Sequence, residues 1–187
     1  MNDTTAFKQE IEQVLSEAEL LYSAAEVEAA FDKMATAITR TLRDKNPLLL
    51  CPMLGAVVPT GQLLPRLGFP LQLEYIHATR YRGKTSGGNI HWIRKPQPLI
   101  HNRTLLIIDD ILDEGITLKS IVDACTGLGA GEIYTAVLVD KQINKPKQFP
   151  KADFTGLSIP DRYVFGYGMD YKEYLRNCNG IYAVNDS

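Results

Sequence analysis

Cysteine is scarce in this chain and badly spaced for chemistry. Cys51, Cys125 and Cys178 are odd in number, far apart and without a Cys-x-x-Cys pair, which excludes a disulfide framework and a zinc ribbon. Cys51 and Cys125 lie in apolar stretches and read as packed thiols. The histidines at 77, 91 and 101 lack metal-ligand spacing as well. An excess of one charge is also missing: 20 Lys and Arg against 22 Asp and Glu leave a net charge of -2, so no basic field points to nucleic acid. No apolar run approaches the roughly 18 residues of a membrane span, and the first residues carry no secretory pattern. A cytosolic protein is expected, with neither nucleic acid nor membrane as partner. Finally, no Gly-x-Gly-x-x-Gly follows a first strand, which removes a dinucleotide-binding dehydrogenase.

What is present is ordinary in amount and unusual in arrangement. The length of 187 residues suits one well-buried domain. Within Arg103 to Thr117, Leu105–Ile108 is a continuous apolar run, which predicts a central strand buried on both faces of a parallel sheet. Asp109 and Asp110 follow at its carboxyl end and, by alternation, point to opposite faces, so that only one can turn toward a given ligand. Asp113 opens a turn, and Glu114-Gly115-Ile116-Thr117 leads into a helix with an apolar stripe of Ile116, Ile121, Ala124 and Leu128. A helix start offers unpaired N–H groups and the positive end of the dipole, which together suit phosphate. Acids beside a phosphate site make sense if the ligand also carries ribose hydroxyls or a magnesium ion, both of which want carboxylate oxygens. A sugar phosphate answers that description. The plain alternative, in which Asp113 caps a helix and Gly115 makes a turn, explains each residue singly but not the group.

Around this stretch the chain reads as an α/β alternation. Phe7, Ile11, Val14, Leu15 and Ala18 mark one face of a helix, and Ser23-Ala24-Ala25-Glu26 has the form of a capping box for a second, with Val27, Ala30, Phe31, Met34, Ile38 and Leu42 inward. These two helices are expected to pack on each other and on the core. Leu48–Cys51 is a buried strand ending in a loop of small residues, and Val57 to Leu67 a helix. Leu71 to Ala78 and Ile90 to Ile93 are strands flanking the Gly-rich, cationic 79–89 stretch, a hairpin or lid. Ile133 to Val139 is a strand that delivers Lys141 to the sheet's carboxyl edge, where ligands gather. Asn144 to Lys151 reads as a surface loop, Ala152 to Leu157 as a strand, Ser158 to Asp161 as a turn, and Tyr163 to Tyr174 as an aromatic-rich segment in which Tyr171 and Tyr174 are core.

Ile107-Ile108-Asp109-Asp110-Ile111-Leu112-Asp113-Glu114-Gly115-Ile116-Thr117-Leu118 resembles the phosphoribosyl-pyrophosphate motif of the type I phosphoribosyltransferases. Asp161 to Arg176 resembles the base-binding and C-terminal segment of the hypoxanthine-guanine members. The likeness runs from about Leu48 to Val184. It implies an α/β fold of that type: a central, mostly parallel sheet flanked by helices, with a small hood from the C-terminal segment and an N-terminal helical extension. One domain spans residues 1–187, with a helical segment at 1–45, a core at 46–145 and the base-binding hood and C-terminal segment at 146–187.

The resemblance implies transfer of the 5-phosphoribosyl group from phosphoribosyl pyrophosphate to N9 of hypoxanthine or guanine, giving IMP or GMP and pyrophosphate with Mg2+. Asp113 is then the catalytic acid/base. Asp109, Asp110 and Asp113 with the 114–117 turn (Glu114, Gly115, Ile116, Thr117) bind the phosphoribosyl group. Leu54, Gly55, Arg80, Tyr81 and Arg176 bind pyrophosphate. Lys141, Tyr163, Val164 and Asp170 meet the base, and Asp109, Asp110 and Asp170 the metal. A cis peptide at Met53–Leu54 is also implied. The chain departs from the family at Leu54-Gly55-Ala56, where Lys-Gly-Gly is common, at Arg80, where Ser is usual, and at Glu114, where Ser or Thr is frequent; Glu114 is expected to face solvent. A homodimer or homotetramer is implied. The rival reading is a regulator on the same fold that binds phosphoribosyl pyrophosphate without turnover.

Overall fold

The computed structural model describes residues 3–80 and 90–185, with backbone alone at 3–6 and 80. In chain order the elements are α1 (Asp3–Glu17), β1 (Glu19–Ser23), α2 (Ala24–Leu42), β2 (Leu48–Met53), α3 (Val57–Leu63), β3 (Gln72–Arg80), β4 (Ile90–Arg94), β5 (Leu105–Leu112), α4 (Ile116–Gly127), β6 (Ile133–Gln142), β7 (Phe154–Pro160), β8 (Val164–Phe165) and β9 (Gly180–Ala183). Six of the strands form one sheet in the order β4-β3-β2-β5-β6-β7, parallel except for the antiparallel edge strand β4.

Alternation along β5 explains its central place. Leu106 and Ile108 enter the core under α2, while Leu105 and Ile107 enter the core under α4, and none of the four is exposed. Each such side chain contributes about 1.5–3 kcal/mol on burial, so β5 anchors both layers. From β2 the chain runs outward through β3 and β4, then returns to β5 on the other side of β2. The crevice at that reversal is where open α/β sheets bind ligands.

α2 begins on the expected capping box, the Ser23 and Glu26 side chains each accepting from the other's backbone N–H. Before it lies a strand that the helical reading of 1–45 does not include. β1 pairs antiparallel with β9, which pairs with β8, and the three make the hood sheet. Because β1 turns the chain away, α1 does not pack on α2 as expected. Its Ile11 instead joins Phe165 and Leu175 of the hood in a separate small core, and Leu15 is exposed.

Three further details differ from expectation. The helix over 57–67 tightens into a 3-10 turn at Leu64–Arg66, where Pro65 enters. β7 starts later than expected and runs through Ser158–Pro160, because its parallel register with β6 continues to Gln142↔Pro160. α4 buries Leu118, Ile121 and Cys125, whereas Leu128 is 37% exposed. Among the described residues no helix is long and apolar enough to cross a membrane.

Candidate active site

A cavity of about 430 Å³ opens over the carboxyl ends of β2, β5 and β6. Strand β5 continues through the acids, and both Asp109 and Asp110 line the cavity. The expectation that only one of them could face a ligand therefore fails: the cavity lies across the end of the sheet and not over one face. Asp109 is 9% exposed, and its Oδ1 accepts from the Asp110 N–H at 3.0 Å. Burial, then the charge of Asp110, pushes its carboxyl well above the usual range. Burial also raises Asp110, against the opposing pull of its bonds to Asp109 and to the Ile111 N–H and of the Arg176 charge. Gly55 makes room here, since a Cβ on it would stand 2.1 Å from Asp110 Oδ2. The preceding Met53–Leu54 peptide is cis, as expected.

The turn after β5 puts Asp113, Gly115 and Thr117 on the cavity wall. Gly115 adopts φ 78°, a left-handed conformation that costs glycine little, and α4 starts at the next residue. The turn is held from behind by the 143–150 stretch, which is more than the surface loop the sequence suggests. Gln148 N–H donates to the Glu114 carbonyl at 2.8 Å, Lys147 Nζ to the Leu112 carbonyl at 3.0 Å, and Lys147 also pairs with Asp140. Phe149 packs so closely that a Cβ on Gly115 would lie 2.5 Å from its backbone nitrogen. Glu114 does not simply face solvent. Its carboxylate is partly buried and paired with Lys145, whose pKa rises chiefly through that bond.

Register joins the next two residues. Leu112 on β5 pairs with Asp140 on β6, so Asp113 and Lys141 leave adjacent strands side by side, and Lys141 Nζ lies 3.1 Å from Asp113 Oδ2. Lys141's side chain is only 12% exposed. Across the cavity stands the hood: Tyr163, Val164, Met169, Asp170 and Arg176. Tyr163 is half exposed and meets Tyr171 edge to face at 5.6 Å. Arg176 pairs with Asp170 at 2.7 Å and donates to the Gly168 carbonyl at 2.6 Å. The hood touches the β2 loop directly, since a Cβ on Gly168 would sit 2.1 Å from the Gly55 carbonyl oxygen. Tyr167, Lys172, Glu173 and Leu175 all hold positive φ, each at a cost of order 1–3 kcal/mol that the surrounding contacts must offset. Tyr174, expected in the core, is about half exposed against Phe7.

Of the site residues named from sequence, Gly55, Asp109, Asp110, Asp113, Gly115, Thr117, Lys141, Tyr163, Val164, Asp170 and Arg176 line this one cavity, and Leu54, Glu114 and Ile116 do not. Leu54 points out, 57% exposed. Tyr81 and the side chain of Arg80 lie outside the described residues. Met53 and Met169 line the cavity without having been anticipated; only the fold places them there.

The expected metal set does not form a cage. Asp170 is taken up by Arg176, and among the described residues no three His, Cys, Asp or Glu side chains converge as metal ligands. Two adjacent carboxylates, the buried Asp109 and the partly buried Asp110, still fit magnesium, which keeps several waters and takes one or two protein carboxylates with ligand phosphate oxygens.

A family model, the phosphoribosyl transferase domain, matches residues 17–173, starting well before Leu48. The hypoxanthine-guanine-xanthine phosphoribosyltransferase of Tritrichomonas foetus is 29% identical over 168 residues, 90% of this chain and 92% of its own. The hypoxanthine-guanine phosphoribosyltransferase of Staphylococcus epidermidis is 31% identical over 159 residues, 84% of this chain and 88% of its own. A solved hypoxanthine phosphoribosyltransferase from Staphylococcus aureus superposes with a TM-score of 0.84 at 26% identity, covering 99% of this chain and 96% of that one.

Proposed function

The chain belongs to the phosphoribosyltransferase family, and from that footing we propose a purine-salvage enzyme that moves the 5-phosphoribosyl group of phosphoribosyl pyrophosphate to N9 of hypoxanthine or guanine. The observation that carries the choice of base is the Asp113–Lys141 pair, 3.1 Å apart at a cavity that Tyr163 also lines. N7 and O6 are neighbours on one edge of a 6-oxopurine. Lys141 donates to O6 while Asp113 exchanges the N7 proton as general acid/base. Tyr163 stacks on the ring, and Val164 offers main-chain groups to its far edge.

The N–H groups of 113–117 and the positive end of α4 hold the 5-phosphate. Asp109 and Asp110 accept from the ribose hydroxyls and would hold magnesium directly or through its water. Magnesium, bound with the substrate, supplies positive charge to the departing pyrophosphate. Arg176, paired here with Asp170, would reach the pyrophosphate, and Asp170 would then be open to hold a second cation. Breaking the bond at C1 puts positive charge on the ribose, as in glycoside hydrolysis, so these residues work mainly by alignment and electrostatics. A cytosolic setting and assembly into a dimer or tetramer belong to the same proposal. The rival, a ligand sensor without turnover, has no support, since the relatives above are named as transferases.

The test is pyrophosphate release with magnesium, phosphoribosyl pyrophosphate and each of hypoxanthine, guanine, xanthine and adenine. Release is expected with 6-oxopurines and not with adenine, whose 6-amino group donates where Lys141 also donates. Lys141→Met should raise KM for hypoxanthine about 10-fold or more, as for one lost bond to a charged group. Equal use of adenine and hypoxanthine by the parent would remove Lys141 from base selection.

A further inference from the structure

Helix α1 ends where the family match begins, at residue 17, yet three of its side chains grip one loop of the candidate site. Glu10 accepts from the Tyr171 hydroxyl at 3.0 Å and from Lys172 Nζ at 2.5 Å. Phe7 meets Tyr174 edge to face at 5.2 Å, and Ile11 packs with Leu175. Those contacts fall between Asp170 and Arg176, the two hood residues paired at the cavity. Within that short span Lys172, Glu173 and Leu175 hold φ of 48°, 72° and 64°. Backbone of this kind persists only where its surroundings over-determine it. The same loop carries Tyr171, whose ring supports Tyr163 edge on.

We infer that Glu10, on a helix that does not line the cavity, is a positioning residue for ligand binding: it selects the loop conformer that presents Asp170, Arg176 and Tyr163. The inference rests on the proposed roles of those three residues. Without the brace the loop spends part of its time in other conformers, and apparent affinity falls by the fraction that remains competent. Chemistry in the loaded site is unchanged.

The experiment uses the full chain as parent, Glu10→Ala, Tyr171→Phe, Glu10→Lys and Glu10→Lys with Lys172→Glu. Affinity for GMP and for inorganic pyrophosphate is measured by calorimetry beside KM, kcat and thermal midpoint. Glu10→Ala should weaken both ligands about fivefold with kcat within about twofold, less than for a lost bond made directly to a ligand, because Phe7 and Ile11 still hold the loop. Glu10→Lys should lose more, and adding Lys172→Glu should return affinity to within about twofold of Glu10→Ala or better. A merely structural helix would lower the thermal midpoint without this split or rescue. Should Glu10→Ala fold poorly, Tyr171→Phe, which removes one hydroxyl, must still weaken GMP. Unchanged affinity in the folded single variants, or no rescue by the double, overturns the inference. If the parent neither binds GMP nor releases pyrophosphate, it is the proposed function that fails; faster amide exchange at 171–176 in Glu10→Ala then still supports the brace, and unchanged exchange refutes it.

Discussion

Asp113→Asn lowers the single-turnover rate by about 10²–10⁴-fold, the range for a lost general acid/base, while affinity for guanine stays within a few-fold. The two effects separate because asparagine keeps a carbonyl oxygen near Lys141 Nζ, which lies 3.1 Å from Asp113 Oδ2. Lys141 therefore retains an acceptor and its place at the purine edge. What the amide lacks is the capacity to take and return a proton. Rapid-quench measurement of nucleotide formation, beside calorimetric titration of the base, checks both halves. A variant that turns over like the parent would take Asp113 out of the chemistry.

Gly115→Ala is expected to raise KM for phosphoribosyl pyrophosphate by 100-fold or more, that is, by about 2.7 kcal/mol or more in binding at 1.36 kcal/mol per decade. Two independent causes add. A φ of 78° costs an alanine about 1–2 kcal/mol. Its Cβ would also lie 2.5 Å from the Phe149 nitrogen and 2.8 Å from the Phe149 Cβ, atoms that no rotamer change can move. The turn must shift, and the N–H groups it aims at the phosphate shift with it. Phe149→Ala offers no rescue, because the nitrogen and Cβ remain. Gly127→Ala is the control: it lies at the end of the same helix, where an added Cβ would meet nothing within 4 Å, and it should be neutral or slightly stabilising. Comparable losses in both variants would show that the turn holds no phosphate.

The parts of the fold legible in the sequence are those dictated locally. The unbroken apolar run of Leu105–Ile108 requires a strand covered on both sides, and its residues feed two cores. The Ser23–Glu26 box is a contact over three residues and forms as its pattern indicates. What is not legible depends on distant partners. β1 is five residues long, and its pairing with β9 spans most of the chain; strand formation of that kind is decided by the partner, not by intrinsic preference. The clamp of 143–150 on the 112–115 turn is hidden for the same reason, since its lysines and prolines look like solvated loop until Leu112 and Glu114 supply carbonyls to satisfy. The pairing of Glu114 with Lys145 is hidden with it. The Asp113–Lys141 contact lies between: each residue is legible as a strand-end group, but only the Leu112↔Asp140 register makes them a pair.

The central claim is that the bend after β5 receives the phosphate of a purine nucleotide. A crystal structure of the protein soaked with GMP and magnesium tests it directly. The phosphoryl group should lie within about 3 Å of the backbone nitrogens between Asp113 and Thr117, the usual N–H···O distance, with guanine between Tyr163 and the Lys141 side of the cavity. A phosphoryl group bound at any other place would contradict the account.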